Sequence, residues 1–258
     1  MSISKQDTIS QFGRMSEAYV ASLTHSKNID LDVILLLLAP TPEMRVLDIA
    51  TGGGHTALKI APYVREVVAS DLTPQMIDRV YEQTIAKGVN NITTVIADAE
   101  ELPFVEGEFD AVTCRIAPHH FFNIRKAMKE ISRVLKKDGV FILEDSLSPL
   151  DAELDTFINH IEVVRDPTHI RSYNLTEWNE FVCAAGLSIQ ETLIYRKGHD
   201  IKNWLERAGV TDSITAEVYA LFRRAPQAAK EHFQITNDAQ EAIHYVDDKV
   251  ILKMRKSS

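Results

Sequence analysis

The sequence predicts an α/β fold in which helices cover both faces of a doubly wound, mostly parallel sheet. Five short apolar runs, each fit for a strand, alternate with helical segments at residues 44–50, 66–72, 91–97, 109–114 and 139–144. These runs are apolar throughout rather than alternating, which is typical of parallel strands buried on both faces. Right-handed crossovers between such strands give a doubly wound sheet.

Local signals place the helices and extend the sheet. Thr73-Pro74 predicts a helix start and Gly88 its end. Further helices are expected at residues 55–64, 124–135, 150–161, 176–185 and 214–222, and a strand at 187–194. Residues 242–256 favour a strand, a turn at Asp247-Asp248 and a second strand. This antiparallel C-terminal hairpin would complete a seven-stranded sheet.

Composition limits the class of protein. With 258 residues, of which 45% are hydrophobic and 25% charged, the chain is expected to form one globular domain. Its formal net charge of −9 argues against nucleic acid as a partner, because the surface repels phosphate backbones. No apolar run is long enough for a membrane span. Cys114 and Cys183 form no CxxC pair, so a reducing, cytoplasmic location is expected.

The loop after the first predicted strand, residues 48–55 (DIATGGGH), is rich in glycine. Glycines let backbone amides approach a ligand, and ligands bind open α/β sheets at the carboxyl ends of strands. Gly52, Gly54 and Ala57 match the dinucleotide fingerprint GxGxxA, and Asp71 follows at a distance suited to a ribose. The glycines therefore leave a nicotinamide dinucleotide and S-adenosylmethionine equally open.

Two carboxylates favour S-adenosylmethionine. Asp48 directly precedes the loop, where it would repel a pyrophosphate but would tolerate a sulfonium amino acid with an ammonium group. Asp98 follows the third strand and can accept a hydrogen bond from the adenine amine. The apolar Leu102-Pro103-Phe104 could then sandwich the ring.

Five motifs occur in order: VLDIATGGG, VVASDLTPQM, IADAEELPF, FDAVTCRIAPHHF and RVLKKDGVFILED. Together they resemble the class I S-adenosylmethionine-dependent methyltransferases, within them the type 11 group around the ubiquinone/menaquinone C-methyltransferases. The resemblance covers about residues 11–186 and implies a Rossmann-like methyltransferase fold. It also implies S-adenosyl-L-methionine as the cofactor. Residues 11–30 do not match the N-terminal segment of the quinone enzymes, which argues against the quinone enzyme itself.

The resemblance implies a role for each cofactor-binding residue. Asp48 would order the loop and the methionyl end, Asp71 would bind the ribose hydroxyls, and Asp98 would read the adenine edge. The other implied positions are Ala50, Gly52 and Gly54 in the family's G-x-G-x-G, Leu72 and Met76 beside the adenine, the backbone of Ala99, and the backbone carbonyl of Arg115 for the methionyl ammonium. Ala50 departs from glycine at the first of these positions.

The acceptor side offers fewer signals. His119 and His120 follow the fourth strand and are candidate catalytic bases, needed only if the acceptor loses a proton. Tyr19 is a third candidate, in an N-terminal segment expected to fold over the cofactor as a lid. Candidate substrate contacts are His25 in the same segment and His169 and Arg171 in a polar loop. No third ligand accompanies the adjacent histidines at a suitable spacing, so no metal is expected.

One domain over residues 1–258 is therefore predicted, with a lid at 1–40, a cofactor-binding core at 41–146 and substrate-side helices and strands at 147–258. The expected activity is methyl transfer to a small-molecule acceptor. A homodimer is compatible with the sequence. Two alternatives stay open, a non-catalytic S-adenosylmethionine-binding regulatory protein and a nicotinamide-dependent oxidoreductase.

Overall fold

A single eight-stranded sheet organises the fold. The computed structural model describes residues 3–21, 29–237 and 242–256. The strands are β1 (Arg45–Ile49), β2 (Glu66–Asp71), β3 (Ile92–Ile96), β4 (Phe109–Arg115), β5 (Leu135–Leu147), β6 (Leu187–Asp200), β7 (Thr236–Asn237) and β8 (Ile243–Lys256). Their order is β3-β2-β1-β4-β5-β8-β6, and the short β7 pairs with β8.

Ten helices are described around this sheet. They are α1 (Lys5–Ala21), α2 (Ile29–Leu38), α3 (His55–Ile60), α4 (Pro74–Lys87), α5 (Ile124–Val134), α6 (Ala152–Arg165), α7 (Leu175–Ala184), α8 (Ile201–Ala208), α9 (Asp212–Arg223) and α10 (Gln227–His232). Single 3-10 turns follow α3 and β4. The predicted limits of α4 are confirmed, since Thr73 precedes it and Gly88 ends it in the left-handed conformation. Within the described residues, no helix is long and apolar enough to cross a membrane.

The parallel part of the sheet is confirmed. β1 to β5 pair only in parallel with one another. Alternate side chains therefore face opposite layers. Leu47 belongs to the same core cluster as Met128 of α5 and Trp178 of α7, whereas Val46 belongs to the cluster of Ile34 on α2 and Val80 on α4. Both layers are apolar because both sheet faces are covered.

The antiparallel C-terminal addition is also confirmed, but the predicted turn at Asp247-Asp248 is wrong. β8 continues through both residues and lies between β5 and β6, antiparallel to each. Asp247 can remain in a strand because Lys249 and His199 pair with its carboxylate at 2.8 and 2.9 Å. Tertiary ion pairing thus overrides a local preference for a turn.

The glycine loop is fixed by its contact with α4. Gly54 has φ +77° at the start of α3, and a Cβ built on it would lie 3.1 Å from Cγ2 of Val80. Gly88, at φ +65°, has open space around the same position. Both glycines therefore satisfy a backbone requirement, but only Gly54 also satisfies a packing requirement.

We expect Gly54→Ala to destabilise the protein more than the control Gly88→Ala. Each variant forces alanine into the left-handed region, which costs about 1–2 kcal/mol. Gly54→Ala adds the clash with Val80, worth a further ~1–3 kcal/mol. Chemical denaturation of both variants measures the difference, and equal losses would contradict the close approach of the loop to α4.

Candidate functional site

A cavity lies at the carboxyl ends of β1, β2, β3 and β4, where the parallel strands end at one edge of the sheet. Nine of the ten predicted cofactor-binding residues line it: Asp48, Ala50, Gly52, Asp71, Leu72, Met76, Asp98, Ala99 and Arg115. The exception is Gly54, which lies behind the loop against α4. Topology therefore brings these dispersed residues together, because the four strand ends are neighbours in the sheet.

Asp48 anchors the glycine loop from beneath. Its side chain is buried, and it accepts hydrogen bonds from the hydroxyls of Thr51 and Thr113, each at 2.6 Å. Thr113 lies directly across the β1–β4 pairing, so the carboxylate joins two strands and the loop. Burial raises the pKa of Asp48 to about 6, against the two threonine hydrogen bonds and the charge of Arg115.

Asp71 holds the other side of the loop. Its carboxylate accepts from the amide of Gly52 at 2.9 Å and from the amide of Thr73 at 2.9 Å. Burial raises its pKa, and these amide hydrogen bonds oppose the shift. The side chain of Thr73 and the backbone of Leu72 also hydrogen-bond to this carboxylate, which lines the cavity.

Two residues beside the cavity have left-handed backbones without being glycine. Ala50 has φ 50° and Ile116 has φ 52°. Ala50 thus adopts a conformation that glycine adopts more easily, at the position where the family motif has glycine. A β-branched residue at positive φ is a true outlier, and strain of this kind concentrates at functional sites.

Asp98 forms an ion pair with a residue that the sequence analysis did not single out. Lys5, on α1, donates to Asp98 at 2.5 Å and to Glu100 at 2.8 Å. Lys5 and Phe12 bring α1 to the rim of the cavity, and α1 packs against α4. No sequence signal marks Lys5, because an ion pair across 93 residues depends wholly on where the helix docks.

The apolar wall of the cavity differs in part from expectation. Leu72 and Met76 line it as predicted, and Phe121 and Phe122 add aromatic surface. The expected sandwich by Leu102-Pro103-Phe104 is not formed, since none of the three lines the cavity. The ring of Phe104 instead meets Phe109 edge-on, because both join the core under β4.

The Arg115 side chain lies beneath the cavity. It is buried, donates to Asp30 at 2.8 Å, and contacts Thr56 at 3.3 Å. Glu144 lies 3.9 Å from the same guanidinium, and burial raises the pKa of Glu144 to about 7. The role implied for Arg115 concerns its backbone carbonyl, and these side-chain contacts fix the backbone at the end of β4.

A second cavity adjoins the first. Phe12, Ile116 and His120 line both, and the ring of Phe12 packs edge-on against His120 at 4.9 Å. His119 and His169 line only the second cavity. His120 therefore stands where the two compartments meet.

The three histidines are held in different ways. His119 donates from Nδ1 to Asp145 at 2.6 Å, and its amide donates to the same carboxylate at 2.9 Å. His120 has the carbonyl of Thr168 3.0 Å from Nδ1, so we assign its proton to Nδ1 and a lone pair to Nε2. Burial, followed by the charge of His119, lowers the pKa of His120 to about 4, which leaves it neutral at pH 7. Burial also lowers the pKa of His169.

The remaining predicted residues are placed less favourably. Arg171 lines neither cavity and pairs with Glu177 at 2.9 Å and Asp155 at 3.1 Å. Tyr19 lies on α1, but its side chain is not among those described, and His25 lies outside the described residues. No group of three or more potential metal ligands is found in the part of the chain that the structure describes.

The raised pKa of Asp48 predicts a pH effect on stability. Its ordinary value is 3.8 and its folded value is about 6, so between these pH values the folded state keeps a proton that the unfolded chain loses. This group therefore lowers the free energy of unfolding as pH rises from about 4 to 6, by roughly 2–3 kcal/mol.

We expect Asp48→Asn to remove that fall, whereas Asp212→Asn, at an exposed position on α9, should keep it. Denaturation curves of the three proteins at a series of pH values measure the difference. A profile for Asp48→Asn that parallels the parent protein would show that Asp48 ionises normally in the folded state.

Comparisons with known proteins cover most of the chain. The model of a family described as "Methyltransferase domain" matches residues 47–143. An uncharacterized methyltransferase, YcgJ of Bacillus subtilis, is 36% identical over 225 residues, or 87% of this chain and 89% of its own. A ubiquinone/menaquinone biosynthesis C-methyltransferase of Citrifermentans bemidjiense is 40% identical over 44% of this chain and half of its own.

Solved structures agree with the sequence relatives. The crystal structure of YcgJ superposes with a TM-score of 0.86 over 88% of this chain and 98% of its own. That of a putative methyltransferase from Bacillus halodurans also reaches 0.86, at 32% identity over 90% of this chain and 100% of its own. With this extent of sequence and structural similarity, the chain belongs to the class I S-adenosylmethionine-dependent methyltransferases.

Proposed function

We propose that the protein transfers the methyl group of S-adenosylmethionine to a small-molecule acceptor by in-line displacement. The observation that carries the proposal is the paired cavity. Nine of the implied cofactor residues line one compartment, and His120 connects it to a second compartment lined by different residues. Two adjoining compartments suit two reactants, because the enzyme gains rate mainly by aligning nucleophile, methyl carbon and leaving sulfur.

The residues of the first compartment fit the cofactor. Asp71 places its carboxylate in the cavity lining, where it would meet the ribose hydroxyls, and Asp98 offers an acceptor for the adenine amine. Leu72 and Met76 supply apolar surface for the ring, and Met76 is buried. The bound cofactor supplies a positively charged sulfonium that activates the methyl group. Asp48 shapes the loop that would hold the methionyl end.

A general base is proposed on the acceptor side. With its proton on Nδ1, His120 has a lone pair on Nε2 that can accept a proton from the acceptor. His119 is committed through Nδ1 to Asp145 and faces the second compartment, where it could position the acceptor. Tyr19 is a third candidate, on the helix that carries Phe12 to both cavities.

His169 is the proposed substrate contact from the polar loop. It lines the second compartment, and its Nε2 lies 3.3 Å from the side-chain oxygen of Asn159. This contact places the ring proton on Nε2 and leaves Nδ1 as an acceptor. Arg171 is left out of the proposed site, because two carboxylates occupy its guanidinium away from both compartments.

Calorimetry with S-adenosylmethionine, S-adenosylhomocysteine and NAD tests the cofactor assignment. We expect heat of binding with the first two and none with NAD, because Asp48 lies under the loop where a pyrophosphate would be repelled. Binding of NAD alone would overturn the proposal.

The role of Asp98 can be separated from its ion pair with α1. Asp98→Ala should weaken S-adenosylmethionine binding by about 1–3 kcal/mol if it removes a hydrogen bond to adenine. Lys5→Ala removes the same ion pair but leaves the carboxylate available, so the affinity should be unchanged or higher. Equal losses in the two variants would mean that Asp98 acts only by holding α1.

A further inference from the structure

The second compartment carries an excess of positive charge. Four cationic side chains line it, Arg165, Lys197, Arg207 and Lys249, against the carboxylates of Glu162 and Asp166. A positively lined cleft favours anions, and the effect is stronger where water is partly excluded. This charge contrasts with the formal net charge of −9 for the whole chain.

Both carboxylates of the compartment are already engaged. Glu162 accepts from Arg165 at 2.9 Å, and the same guanidinium lies over the ring of Trp204. Asp166 accepts from the side chain of Gln11 at 2.6 Å and from the hydroxyl of Thr168 at 2.6 Å. Glu162 is thus paired with Arg165, and Asp166 keeps its charge near the same guanidinium, so neither carboxylate forms an ion pair with Lys197.

Lys249 forms an ion pair with Asp247 inside the protein. It is buried, and its ammonium lies 2.8 Å from Asp247 and 2.7 Å from the hydroxyl of Ser146. His199 approaches the other oxygen of Asp247 at 2.9 Å. Lys249 therefore has its counter-ion within the protein.

Lys197 differs from these groups. Its side chain is half-buried, and among the described residues its ammonium has no hydrogen bond and no carboxylate within 4 Å. Burial and the neighbouring charge of Lys249 lower its pKa, while Asp30, Glu144 and Asp247 oppose the shift from beyond ion-pair distance. A partly buried cation without a partner is costly, and a bound anion would relieve that cost.

We propose that the methyl acceptor carries an anionic oxyacid group, a carboxylate or a phosphate, that binds Lys197 in the second compartment. This inference rests on the proposed function and names the substrate class of the same site. An acceptor held at Lys197 could extend its reacting atom towards His120, where the compartments meet. Its negative charge would also be attracted by the cofactor's sulfonium, which favours encounter of the two reactants.

The chain contains a suitable reporter. Its two tryptophans are Trp204, which lines the second compartment, and Trp178, which is fully buried in the core. The indole N–H signals of the protein bound to S-adenosylhomocysteine can be followed by NMR during titration with acetate, inorganic phosphate or acetamide. Acetamide matches acetate in size without its charge. We expect acetate or phosphate to shift the Trp204 signal saturably, with Trp178 unchanged and acetamide without effect.

Variants assign the effect to Lys197. Lys197→Gln should lower the affinity for acetate or phosphate at least tenfold. Lys197→Arg should keep that affinity within about threefold of the parent protein. Lys202→Gln, an equal change of charge on the exposed side of α8, should leave the affinity unchanged. A preference for acetate or for phosphate distinguishes a carboxylate from a phosphate acceptor.

The inference is overturned if acetamide binds as well as acetate, or if neither anion shifts Trp204. The inference is also overturned if Lys197→Gln leaves the anion affinity unchanged, or if Lys202→Gln lowers it as much as Lys197→Gln does. The comparison of acetate with acetamide needs no variant, so it decides the question even if Lys197→Gln fails to fold. Calorimetry with S-adenosylmethionine on the same samples separates the two proposals: if the cofactor binds and the anions do not, this inference alone fails.

Discussion

The buried carboxylate of Asp48 is the interaction on which the site depends. A charge-bearing group at the end of a central strand must find hydrogen-bond donors, and Thr51 and Thr113 supply them. One of these donors lies in the loop and the other on β4. Satisfying Asp48 therefore fixes the start of the loop relative to the sheet. Asp71 then binds the amide of Gly52, and the two carboxylates together define the floor of the first cavity.

The N-terminal helix α1 supplies lining residues to both cavities. α1 contributes no strand or core layer, but it brings Lys5 to Asp98, Gln11 to Asp166 and Phe12 to His120. Phe12 lines both cavities, so α1 forms a wall common to the two compartments. The lid expected over residues 1–40 stays a prediction, and residues 22–28 lie outside those described.

The electrostatic character changes along the path from one cavity to the other. Carboxylates dominate the first cavity, in keeping with a cofactor that offers hydroxyls, an amine, an ammonium and a sulfonium. At the junction, burial lowers the pKa of His120 to about 4, so its ring is neutral at pH 7. Cations dominate the second cavity, and Lys197 has no counter-ion among the described residues. The proposed pairing of a cationic methyl donor with an anionic acceptor would require such a change of sign.

The sequence by itself determined the five parallel strands, the loop and three carboxylates that line the first cavity. These depend on local patterns: apolar runs for buried strands, glycines for positive φ, and acids at strand ends. Parallel topology then brings neighbouring strand ends to one edge, so Asp48, Asp71 and Asp98 had to be close once the strands were known.

Only the tertiary structure decided the features that depend on long-range pairing. Asp247 lies in a continuous strand because Lys249 and His199 neutralise it, whereas the local sequence favoured a turn. Lys5 lines the first cavity and Arg171 lies outside both cavities, because their ion pairs depend on how the helices dock. The charge of the second cavity follows the same rule, because the four cations that line it come from separate elements and carry no common motif.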